Sequence, residues 1–146
     1  MTVVEFIDDN GNSYKPLYIF KGQRLQQSWV ENDPIGAYYA TSENGWTSNV
    51  LGRDWLENVF DAQTKHLFPG RCRLLIMDGH ASHLSLEFVD YARANNIILL
   101  CLPAHATATL QPLDVGIFGP LSRYWSIVPE ENLVGGLNMR KQDFCS

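Results

Sequence analysis

Two short stretches hold the side chains with the chemistry of a site. The first is Asp78-Gly79-His80-Ala81-Ser82-His83; the second is Gln111-Pro112-Leu113-Asp114, and 35 residues separate the two aspartates. Carboxylate oxygens are hard donors, so two aspartates brought together repel each other and attract a divalent cation. His80 and His83 stand at a spacing that zinc accepts, with Cys72 or Cys101 as further ligands. His105, in Pro103-Ala104-His105, is either a third histidine in the same cleft or a plain surface-loop residue. Taken singly, an aspartate at a strand end or a helix start is a cap or a solvated end.

The elements that would position these groups can be read from the apolar pattern. Leu74-Leu75-Ile76-Met77 runs directly into Asp78, and Ile97-Ile98-Leu99-Leu100-Cys101-Leu102 runs into Pro103. Both runs lack polar alternation, as parallel strands buried on both faces do. Between them Leu84, Phe88, Tyr91 and Ala92 fall on one helical face. Strand, helix, strand at this spacing predicts a right-handed βαβ unit. Asp78 then sits at the carboxyl end of a parallel strand, where open α/β sheets place ligands. A helix can start at Pro112-Leu113-Asp114, since an acid favours the positive end of the helix dipole. Gly116, Gly119 and Pro120 would weaken or kink it.

The preceding half supplies scaffold. Residues 2–7 suit a strand, Asp8-Asp9-Asn10-Gly11-Asn12 a tight turn with positive φ at Asn-Gly, and residues 14–20 a return strand. Asp8 and Asp9 are turn residues in this reading. Residues 21–49 show no sustained period, and we expect an irregular connection in which Trp29, Tyr38, Tyr39 and Trp46 pack rather than stack on bases. Thr47 or Ser48 should cap a helix over residues 50–66, with Leu51, Trp55, Val59 and Phe60 as its buried stripe.

Composition sets the bounds. A chain of 146 residues that is 45% hydrophobic and 18% charged is a folded domain rather than a disordered segment. No apolar run is long enough to span a membrane, and the amino terminus lacks a signal-peptide pattern. Three widely spaced cysteines fit a reduced intracellular setting better than a disulfide framework, with Cys101 expected to be a buried small hydrophobe. A net charge of −5, with eleven scattered Lys and Arg, argues against strong nonspecific DNA binding by the chain alone.

Leu75-Ile76-Met77-Asp78-Gly79-His80-Ala81-Ser82-His83 and Leu110-Gln111-Pro112-Leu113-Asp114-Val115-Gly116-Ile117-Phe118-Gly119-Pro120-Leu121, in that order, resemble the DDE superfamily endonuclease domain. The similarity is to its pogo-like transposase group, which includes centromere-binding and jerky-type domesticated relatives. The resemblance implies an α/β, RNase H-like mixed sheet: an antiparallel hairpin, then a parallel βαβ unit, with flanking helices. It implies Mg²⁺ or Mn²⁺ at Asp78 and Asp114 as the second and third acids, with Gly79, His80, His83, His105 and Gln111 supporting the site. It also implies DNA as partner and the nucleus as location, with a homodimer or a longer parent chain open. The family's first acid lies on a strand ahead of the hairpin, so we expect residues 1–125 to be a DDE domain with its first strand missing. Residues 126–146 read as a tail. The rivals are a relic, non-catalytic nucleic-acid-binding or interaction module and an unrelated hydrolase using Asp78, His80 and His83.

Overall fold

The computed structural model describes residues 1–31, 33–45, 47–78, 85–103, 113 and 116. Its first element is the expected hairpin. Strand β1 (Thr2–Val4) runs antiparallel to β2 (Leu17–Lys21), with Thr2 opposite Ile19 and Val4 opposite Leu17. Asp8 O accepts from Gly11 N at 3.1 Å, and Asp8 N donates to Asn12 O at 3.0 Å. Gly11 has φ +82°, and Asn10 is not among the residues with positive φ, so the turn closes on a glycine bulge instead of the doubly positive form expected. The Asp8 carboxylate serves this turn. It accepts from Asn12 Nδ2 at 2.8 Å and from the backbone N of Asn12 and Asn10 at 2.8 and 3.0 Å. Those bonds, led by the Asn12 side chain, hold its pKa below the ordinary 3.8.

The connection expected to be irregular contains a strand. β3 (Tyr38–Ser42) pairs parallel with β2, Leu17 opposite Tyr38 and Lys21 opposite Ser42. All five of its residues are half-buried, so it has no apolar–polar alternation to advertise it. The aromatic residues pack, as anticipated. Tyr39 stacks on Tyr18 and Phe20 at 5.8 and 6.3 Å between ring centroids, and Trp29 lies 5.0 Å from Phe20. Trp46 lies outside the described residues.

Ser48 caps the long helix, its Oγ accepting from Leu51 N at 3.3 Å. The helix is α-helical over α1 (Asn49–Asp54), π-helical over Trp55–Asp61 and α-helical again over α2 (Ala62–Thr64). Leu56, Phe60 and Thr64 are buried together, and Asp61 lies inward beside them, 4% exposed. Gln63 fastens the helix to the hairpin: Lys15 N donates to its Oε1 at 2.9 Å, and its Nε2 donates to Lys15 O at 3.2 Å.

β4 (Arg73–Met77), α3 (Leu86–Ala94) and β5 (Ile97–Cys101) form the βαβ unit, with Arg73 opposite Ile97 and Met77 opposite Cys101 in a parallel ladder. Ser85 caps α3, its Oγ accepting from Phe88 N at 3.3 Å. Phe88 and Ala92 are fully buried and Tyr91 packs beside them, while Leu84 lies outside the described residues. Leu17 and Ile19 of β2 meet Leu75, Met77 and Ile97 in one core around the helix. The fold is thus mixed α/β, as an RNase H-like domain requires.

Three differences from expectation concern the sheet. Among the described residues it comes in two pieces, β1-β2-β3 and β4-β5. The second piece is buried on one face only: Leu74, Ile76, Ile98 and Leu100 are 47–56% exposed. Cys101 is exposed rather than buried, because its strand has no neighbour on that side among the described residues.

Candidate functional site

Asp78 follows β4 directly and is half-buried. Leu102 N donates to Met77 O at 2.8 Å, so the ladder is closed up to the residue before Asp78. Because β4 and β5 are parallel, the chain leaves both strands from the same edge of the sheet. Residues 79–84 follow one strand and residues 104–112 the other. The first run contains Gly79, His80 and His83, and the second His105 and Gln111; all five lie outside the described residues. Asp114 does too, although its neighbour Leu113 is helical and 8% exposed. The described structure therefore places one of the sequence-predicted site residues, Asp78, on the edge that the topology reserves for ligands.

The direction of the backbone at Asp78 follows from the ladder. Arg73 N donates to Asn96 O at 2.9 Å, and Leu102 N to Met77 O. In a parallel ladder alternate residues face the same neighbour, so Arg73, Leu75 and Met77 turn their amides to β5. Leu74, Ile76 and Asp78 turn theirs away from it, toward the edge of β4 that carries no strand among the described residues.

The donor chemistry at this edge fits a hard divalent cation, since a half-buried carboxylate offers oxygen ligands without the cost of full burial. Among the described residues no group of three or more His, Cys, Asp or Glu could hold a metal ion. Asp78 and, from the sequence, Asp114 are the residues that would contribute to one.

A second cluster, at the other end of β4, escaped the sequence reading. Arg73, 7% exposed, brings Nη2 to 2.5 Å from Asp61 Oδ1, an ion contact rather than an aligned hydrogen bond. Its Nη1 donates to Thr64 Oγ1 at 2.9 Å and Nη2 to Asn95 O at 2.8 Å. Tyr91 Oη donates to Asp61 Oδ2 at 3.0 Å, and Lys65 Nζ lies 3.4 Å from the same oxygen. Burial pushes the Asp61 carboxyl up, but the adjoining Arg73 guanidinium, the hydrogen bond from Tyr91 and the Lys65 charge outweigh it, leaving the pKa below 3.8. Burial and the Asp61 charge push the Tyr91 hydroxyl up to about 12. The signal in the sequence was an acid inside the buried stripe of a helix. Its partner, twelve positions on, lies on another element and no local pattern links them.

Comparison with known proteins agrees with this architecture. A family profile described as DDE superfamily endonuclease matches residues 1–142. A Cochliobolus lunatus protein named MFS-type transporter clz9 is 42% identical over 127 residues, 86% of this chain and 14% of its own length. Two human proteins are similar as well. Pogo transposable element with KRAB domain is 26% identical over 77% of this chain and 18% of its own length. Pogo transposable element with ZNF domain is 29% identical over 79% of this chain and 8% of its own length. The chain thus spans less than a fifth of each of these relatives. No solved structure matches it.

Proposed function

This chain belongs to the DDE superfamily endonuclease family, and from that premise we propose that it carries part of the metal-dependent active site of a pogo-like transposase. The observation that carries the proposal is Asp78, held at the carboxyl end of a parallel strand on the edge from which both following loops depart. Asp78 and Asp114 would hold divalent ions, which when bound activate the attacking hydroxyl and offset charge on the scissile phosphate and leaving oxygen. Asp78 would act as a fixed ligand, because the ladder is closed up to Met77. His80, His83 and His105, in the segments that follow the two parallel strands in sequence, would donate hydrogen bonds to phosphate oxygens or relay protons. DNA is the substrate in this reading, and the nucleus is where it would be met. Nothing of transport is carried over from the fungal relative's name; among the described residues no helix is long and apolar enough to cross a membrane.

The divided sheet bears on completeness. β1 and β4 each have a single ladder partner among the described residues, and both sheet pieces share one core. A further strand between β1 and β4, carrying the first acid, would join the two pieces and complete the site. With two acids of three, the chain by itself should convert little supercoiled plasmid to open circles in Mn²⁺. Joined to an upstream strand that ends in aspartate, it should nick, and Asp78→Ala or Asp114→Ala should abolish the gain. EDTA is the control. Robust nicking by the chain alone, lost in Asp78→Ala, would mean that another acid completes the site. Nicking indifferent to both aspartates but lost with His80 or His83 would move the reading to a histidine-based hydrolase. The divided sheet also favours a second reading, a relic module that binds nucleic acid or protein without cutting; absence of nicking even with the added strand would select it.

A further inference from the structure

We propose that the outer edge of β5 is a docking groove for an extended, apolar peptide strand bearing a single carboxylate. The alternation that turns Ile98 and Leu100 toward β4 turns the N–H and C=O groups of Ile97, Leu99 and Cys101 outward. No hydrogen bond to those outward groups occurs among the described residues. Edge strands are normally blunted by charge, proline, a bulge or extreme shortness. Ile97–Cys101 has five residues, no charge and no proline, and its register with β4 is unbroken.

Beside this edge lies a cavity of about 490 Å³, walled by Val89, Ala92 and Arg93 of α3 and by Ile97, Leu99 and Cys101 of β5. An edge without a strand partner among the described residues, next to a helix, is the arrangement that receives an added strand: main-chain bonds supply affinity, and alternate side chains enter the groove. Its apolar wall calls for apolar side chains.

Charge selects the occupant. Arg93 is the one cation among the described residues lining the cavity, and it has no ion pair among them. One carboxylate on the incoming strand would meet it. An acidic run would not serve, because the chain carries −5 overall and repels it at longer range. A second copy joined through its own β5 is disfavoured on the same ground: Ile97–Cys101 offers no carboxylate to Arg93, and two chains of like net charge would have to meet.

The test is fluorescence anisotropy of the full chain with a fluorescein-labelled hexapeptide of alternating valine and threonine carrying one central aspartate. Saturable binding is expected, weakened about tenfold or more by Arg93→Glu and regained when the peptide aspartate becomes lysine. Leu99→Pro removes an outward N–H while the bonds to β4 come from Ile98 and Leu100, so it should abolish binding of both peptides with an unchanged far-UV spectrum. If that variant does not fold, the charge exchange decides alone. Absence of binding, or binding indifferent to the exchange, overturns the proposal. So does a concentration-dependent dimer that excludes the peptide, since the edge would then belong to a second copy.

Discussion

Strand β4 carries a charged side chain at its start and another just past its end, and the two are built in opposite ways. Arg73 is buried and surrounded: Asp61, Thr64 and Asn95 take its guanidinium, while Tyr91 and Lys65 hold the other side of Asp61. Asp78 is half-buried, beyond the last ladder bond, with its backbone turned to the edge of β4 that has no strand among the described residues. The first arrangement turns the guanidinium inward, joining helix, strand and α3 at one point. The second leaves a half-buried carboxylate just past the end of the strand. A strand anchored at one end can hold a group steady at the other, which is how the Arg73 cluster would support Asp78 without touching it.

The sharpest way to break the contrast is to remove Arg73. Arg73→Met leaves Asp61 buried beside a methionine, and loss of one partner of a buried pair costs about 3–5 kcal/mol. Urea unfolding followed by tryptophan fluorescence would measure it. Adding Asp61→Leu should recover most of that loss, because the stranded charge goes as well. A double variant as unstable as the single one would show that Arg73 acts mainly through Thr64 and Asn95.

Next in size is the pH dependence. The folded pKa of Asp61 lies below 3.8, so its contribution is complete above that value and is lost as pH falls through the folded one. The wild-type urea midpoint should therefore drop on acidification, and the Asp61→Leu, Arg73→Met variant should drop less. Tyr91 works in the opposite direction. Its folded pKa is raised to about 12 from 10.0, so stability is intact below 10 and declines as pH rises toward 12. Tyr91→Phe should remove that alkaline decline and cost about 1 kcal/mol near neutrality, the size of one hydrogen bond.

Much of the scaffold was legible because its signals are local. Ser48 caps the first helix as expected, and Phe88 and Ala92 lie on the predicted face of α3, although that helix begins at Leu86, after the Leu84 with which the pattern opens. Asp78 was legible for the same reason, since a strand's last residue can be counted from its apolar run. The features that were missed depend on partners. Tyr38–Ser42 is a strand because β2 pairs with it, not because its residues alternate. The π-helical stretch Trp55–Asp61, which ends on the buried Asp61, has no compositional mark. Leu74 and Ile76 read as doubly buried because sequence shows an apolar run but not which layer is present to cover it. For Asp114, His80, His83, His105, Gly79 and Gln111, placement rests on the family pattern and the direction of the two strands.

The smallest effect on stability should come from Asp78, and the comparison depends on it. Asp78→Asn keeps the shape and one acceptor oxygen for the contacts the carboxylate makes, and the group is only half-buried. Substitution there should move the stability measured in urea far less than Arg73→Met does, because Asp78 is half-buried rather than buried. Its effect on metal should be out of proportion to that. In the form joined to an aspartate-bearing upstream strand, Mn²⁺ should raise the melting temperature of the parent, because an ion bound only by the folded state stabilises it. The Asp78→Asn variant should lose that rise, an amide being a weaker ligand than a carboxylate for a hard cation. Arg73→Met should melt lower yet keep a rise with Mn²⁺, since Arg73 lies at the opposite end of β4. If Asp78→Asn instead destabilises the metal-free chain as much as Arg73→Met does, then Asp78 is a structural acid like Asp61, and the two ends of β4 are not different in kind.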